Sequence, residues 1–154
     1  MPSTPRWPIR QVDKLIVARL KDDATIKQLQ KVSAGDARLS GYRPVPSSKS
    51  DFFPYIFFYA IAGVNSRVNG NTVIQWNPDF DFEVRTLGAP TDDDEAVVER
   101  VDELITMVSQ PTPDGKWLVS SVASHEINIT QQGETSEVYY TRIGNSYKFQ
   151  VVRS

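Results

Sequence analysis

The chain has 154 residues, no cysteine and a formal net charge of -2. That length suits one ordinary domain able to bury roughly 70% of its unfolded surface, so neither a metal nor a disulfide is needed for folding. The missing cysteines exclude a disulfide scaffold, a thiolate zinc site and a cysteine nucleophile, and the longest apolar run, Tyr55 to Val64, is far short of the roughly 20 residues of a membrane-spanning helix.

Residues 1–9 contain Pro2, Pro5 and Pro8 and are expected to form an extended arm ahead of a single domain over residues 10–152. The start of the chain has no apolar h-region, so no secretory signal is expected. Val12, Leu15, Ile16 and Leu20 follow helical spacing and predict a first helix beginning after Pro8 or Arg10. Asp23 is placed to cap a second short turn carrying Ile26, Leu29 and Val32. Ser33 to Ser50 is rich in Ser, Gly and Pro and reads as loop, with a brief strand near Leu39 to Val45.

Pro54 opens the clearest strand. Tyr55 to Ala62 is aromatic and β-branched on both faces, which predicts a central strand covered on at least one side. Asn69-Gly70 signals a hairpin, and its tip (Arg67, Asn69, Gly70, Asn71) is a candidate docking loop. On the returning strand Phe80, Phe82 and Val84 alternate with Asp79, Asp81, Glu83 and Arg85, the pattern of a half-buried antiparallel strand with a charged outer face. Pro78 predicts a bulge or an edge position.

Thr91 is a good N-cap, and Asp92, Asp93, Asp94 and Glu95 favour the positive end of the helix dipole. Val97, Val101, Leu104, Ile105 and Val108 continue that helix, with Pro111 and Pro113 ending it. The last 40 residues read as short strands: Trp117 to Val122, Glu126 to Thr130, Glu137 to Ile143, and Tyr147, Phe149 and Val151 after a turn at Gly144-Asn145. The expected class is therefore α+β, an antiparallel or mixed sheet with two main helices packed on one face and a C-terminal β-meander.

Few residues suggest chemistry. His125 is the only histidine, and Glu126 beside it would point to the opposite strand face. Asp92 to Asp94 lack the alternate ligand spacing and glycine turn of a calcium loop, so capping explains them. Asp79, Asp81 and Glu83 could be a solvated strand face, or an acidic face lining a pore or meeting a basic partner; paired carboxylates for glycosidase chemistry are the rarer case. Phe52 and Phe53 are either core or anchors for a neighbouring subunit. No Walker loop, dinucleotide fingerprint, HExxH or nucleophile elbow occurs. No catalytic residue, cofactor, metal site or membrane partner is expected.

Charge is unevenly distributed. Residues 1–50 carry a net of +6 and residues 51–154 a net of -8. Such asymmetry suits either an electrostatic interface or differing solvated faces.

The order of elements resembles a known family. A first amphipathic helix leads to Gly41-Tyr-Arg-Pro-Val-Pro, then to Pro54-Tyr-Ile-Phe-Phe-Tyr and a hairpin. Phe80-Asp-Phe-Glu-Val-Arg-Thr-Leu-Gly runs into Asp93-Asp-Glu-Ala-Val-Val-Glu-Arg-Val, and a β-meander closes the domain. Over roughly residues 10–152 this is similar to the tail terminator, or tail-completion, proteins of long-tailed bacteriophages. The resemblance implies a structural role with no catalytic residues. Such a protein forms a ring, commonly hexameric, on the last ring of the tail tube and stops tube growth. It also makes the joint to the head completion or connector protein, and DNA passes through the lumen. A lumen face would include some of Asp79, Asp81, Glu83 or Asp92 to Asp94. The implied site of action is the neck of a virion, after synthesis in a host bacterial cytoplasm. A neighbouring head–tail joining protein and a non-viral small binding module are the alternatives, and a small hydrolase built on His125, Glu126 or the strand acids is the third.

Overall fold

The computed structural model describes residues 7–40, 54–70, 72–132 and 139–154. The elements in order are α1 (Ile9–Leu20), α2 (Ala24–Leu29), β1 (Leu39–Ser40), β2 (Tyr55–Asn69), β3 (Thr72–Leu87), α3 (Asp92–Ile105), β4 (Met107–Pro111), β5 (Trp117–Gln132) and β6 (Tyr139–Arg153). The strands make one open sheet in the order β1-β2-β3-β6-β5-β4. Every neighbouring pair is antiparallel except β1 with β2, so the sheet is mixed and the class is α+β.

Local sequence explains the helices. Val12, Leu15, Ile16 and Leu20 sit on one stripe of α1 and are all buried. Asp23 caps α2 by accepting the Ile26 N–H at 3.0 Å. Thr91 and Asp94 form a reciprocal capping box on α3, whose Val97, Val101 and Ile105 enter the core. The three helices cover one sheet face, where Phe58, Phe80, Phe82 and Phe149 are buried. Phe80 and Phe149 lie 4.7 Å apart, and the Tyr147 ring meets Phe82 edge-on at 5.4 Å. The buried Tyr147 hydroxyl donates to Asp102 at 2.7 Å, tying β6 to α3.

Three expectations are corrected and a fourth is resolved. The strand at Tyr55 is second from the edge, not central. Pro78 is buried inside β3, an inner strand and not an edge; of the two expected positions it takes the bulge, since the β2–β3 pairing opposite it shifts register between Ile61 and Val64. The helix from Asp92 stops at Ile105 before any proline, because Thr106 turns extended, with φ -69° and ψ 108°. Val108 therefore lies on β4, 83% exposed, and Ser121 anchors the junction by accepting the Met107 N–H and donating to the Ile105 carbonyl. The C-terminal meander is two long strands rather than four short ones. Its break near Ser124 is only a register shift in β5, and Gly144 sits inside β6 paired with both Glu83 and Ile127. A side chain at Gly144 would overlap the Phe82 carbonyl oxygen, so close strand approach, and not a turn, requires glycine there.

The β2–β3 hairpin closes as its Asn-Gly signal predicts, with Asn69 opposite Thr72 and Gly70 at φ 62°. That tip and the last β5–β6 pair, Gln132 with Tyr139, lie at opposite ends of the β3–β6 ladder. Residues 1–6 of the arm, residues 41–45 of the expected early strand, Phe52, Phe53, Asn71 and the turn at Gly133-Glu134 lie outside the described residues.

Candidate functional site

The strand acids occupy the sheet face that the helices leave free. Alternation along β3 turns Phe80, Phe82 and Val84 toward the helices, and therefore Asp79, Asp81 and Glu83 away from them. These acids do not form a bare acidic stripe. Asp79 stands opposite Lys148 in the register, and the Arg142 guanidinium lies 3.4 Å from the Glu83 carboxylate. The Tyr59 hydroxyl is 3.1 Å from Asp81 and 3.2 Å from Glu83, within donating distance of either. Arg85 stacks over the Phe57 ring at 4.4 Å. Glu83 is 1% exposed and Arg85 4%, so only Asp79 and Asp81 retain partial access to solvent. On β3 and β6 this face balances three carboxylates against Arg85, Arg142 and Lys148.

The Asp92 to Asp94 group sits elsewhere. Asp92 and Asp93 are exposed on the first turn of α3, on the other side of the sheet from Asp79 and Asp81. Asp94 is buried and accepts the Thr91 N–H at 2.8 Å, so its carboxylate serves the cap. The structure thus separates the two acid groups that the sequence offered for one lumen face. Arg67, Asn69 and Gly70 are exposed at the β2–β3 tip.

A third acidic region escaped sequence reading. A groove of about 620 Å³ runs between α3 and the strands β5 and β6. Glu95, Glu99, Asp102 and Glu103 wall it from the helix, and Glu126 rises from its floor beside Asn128 and Asn145. The spacing of the helix acids was visible in the sequence; the arrival of Glu126 depends on sheet pairing between distant segments. No lysine or arginine lines the groove. His125 points to the opposite face from Glu126, as expected for adjacent strand residues, with the Ser124 hydroxyl 3.3 Å from its Nδ1. Among the described residues no group of three or more His, Asp or Glu side chains could hold a metal ion, and no helix is long and apolar enough to cross a membrane.

Fold and surfaces together define an open α+β sheet, with helices on one face and an ion-paired polar layer on the other. No protein-family model matches this chain, and no curated protein matches it in sequence. Solved structures do match it in fold. One is a chain from the virion of a native gene transfer agent (GTA) particle, with a TM-score of 0.53, 13% identity, and coverage of 90% of this chain and 92% of that one. At that identity the likeness is one of fold.

Proposed function

We propose that this chain is a structural virion protein that closes into a ring on the end of a phage tail tube, stops its growth and joins it to the head completion or connector protein. The observation that carries this reading is the fold shared with a virion chain across 90% of this chain. The element order that resembles tail terminators supports it independently. In this reading the helix-free face turns toward the lumen and the helices form the outer wall. Asp79 and Asp81 then meet passing DNA across a surface balanced by Arg85, Arg142 and Lys148, which neither holds the phosphates nor repels them strongly. The exposed Arg67 to Gly70 tip is the docking element toward one neighbour along the tail axis. The ring is hexameric, and the protein is made in the host cytoplasm and ends in the virion neck.

The test is solution mass over a concentration series with negative-stain images, followed by addition to purified tail tubes of the same phage. Rings with a hole of roughly 20 Å or more, wide enough for a duplex, that cap one tube end are expected. Rings that bind the head completion protein and never the tube would assign the protein to the neighbouring joining position. A chain that stays monomeric and binds no tubes would overturn the reading.

A further inference from the structure

The sheet ends unevenly on the β5 side. β4 pairs with β5 only from Leu118 to Ser121, while β5 continues to Gln132. Among the described residues no strand covers the outer edge of β5 from Val122 onward. An uncovered edge of this length presents a row of backbone donors and acceptors, which proteins normally shield or use. On its helix-free side, beside Lys148 and Arg142, β5 also exposes Val122 at 60% and Ile129 at 43%. The acidic groove runs along the same strand on its helix side, and no described cation pairs with Glu95, Glu99 or Glu126. One flank of the molecule therefore combines an open strand edge with uncompensated negative charge.

The opposite flank has the complementary chemistry. α2 and the C-terminal end of α1 lie toward β1 and β2: the Lys21 carbonyl accepts the Ala37 N–H, the Arg38 carbonyl accepts the Ile56 N–H, and neither helix contributes to the groove. The start of α1 reaches the β4–β5 turn, where the Gln11 side-chain carbonyl accepts the Asp114 N–H, and Arg19 donates to the Leu104 carbonyl of α3. Lys14 and Lys21, seven residues apart, flank Val17 and Ala18 on the exposed strip of α1, and Lys31 is exposed beyond α2. β2 and β5 run in opposite directions in the sheet, since three antiparallel pairings separate them. Copies related by rotation about an axis along the strands keep that alternation across their boundary.

We infer that the β5–α3 flank of one copy is the seat of the α1–α2 flank of a second copy, joined head to tail. Two different complementary surfaces on opposite flanks are what a closing heterologous ring requires. The inference rests on the ring reading above and names its subunit boundary.

Charge reversal tests it. One variant carries Glu99→Lys and Glu126→Lys; the other carries Lys14→Glu and Lys21→Glu. All four side chains are at least partly exposed, and circular dichroism verifies that each variant is folded. Mass is measured against concentration at low salt, about 50 mM, where such pairs are least screened. Each variant alone is expected to associate about tenfold or more weakly than wild type. An equimolar mixture is expected to recover association, because alternating copies restore opposite charges at every boundary. Amide hydrogen exchange across residues 122–130 is expected to slow in the associated wild type. Variants that associate as well as wild type would overturn this boundary and leave the ring reading standing, as would a mixture that fails to recover or amides that remain unprotected. A wild-type chain still monomeric at about 1 mM, where even weak contacts populate, and unable to bind tail tubes would overturn both.

Discussion

The two faces of the sheet bury side chains by different means. Under the helices Phe58, Phe80, Phe82 and Phe149 pack against one another, and removal of apolar area from water supplies the stability. On the free face Glu83, Arg85 and Arg142 are equally hidden, yet they are held by ion pairing, a hydroxyl and a stacked ring. Apolar burial tolerates any neighbour of suitable shape. Buried charge depends on particular partners, so the same substitution logic gives different results on the two sides.

The largest effect belongs to the apolar face. Phe82→Ala removes a ring that contacts Phe58, Phe80, Tyr147 and Phe149. Chemical denaturation is expected to report a loss of about 3–5 kcal/mol. On the charged face Arg142→Met removes one ion-pair contact from the buried Glu83 carboxylate, at an expected cost of about 3 kcal/mol. The double variant Arg142→Met with Glu83→Gln is expected to recover most of that loss. If the two single costs simply added, pairing would not be what makes burial of this face tolerable, and the contrast between the faces would collapse.

The smallest effect concerns a charge with no partner among the described residues. Burial on α1 raises the Asp13 carboxyl from 3.8 to about 6, whereas the Arg100 guanidinium holds the Asp23 carboxyl below its ordinary range. The signs oppose. Asp13 contributes stability that is present below pH 3.8 and is lost as pH rises through about 6. Asp23 contributes stability present above the ordinary carboxylate range and lost as pH falls through its lowered value. Asp13→Asn is therefore expected to melt higher than wild type at pH 7.5, with the gap narrowing toward pH 4; a gap independent of pH would show that desolvated charge is not its origin.

What the sequence made legible was local. The Thr91 cap, the Asp23 cap, the Asn69-Gly70 hairpin and the alternation through Phe80, Phe82 and Val84 each rest on residues a few positions apart. What it hid came from distant pairing. Strand order, and the continuity of β5 and β6 through Ser124 and Gly144, depend on neighbours tens of residues away. Gly144 illustrates the ambiguity, since a glycine required by a facing strand looks the same as one required by a turn. The charged side of β3 was readable as charged, but its burial needed Arg142, Tyr59 and Phe57 from other strands. Of the candidate site, the acids were legible singly, and their division between two faces and a groove was not.

The opposed ends of the two hairpins have a mechanical consequence. The β2–β3 tip points one way along the strands, the β5–β6 end points the other, and the β3–β6 ladder alone joins the two hairpins in the middle of the sheet. Tension applied between those ends pulls β3 and β6 past each other. Its hydrogen bonds lie across that direction, so every rung from Gln75–Val152 to Leu87–Tyr140 is loaded at once and none is peeled first. The chain is thereby built as a shear joint, strongest along the axis of its strands.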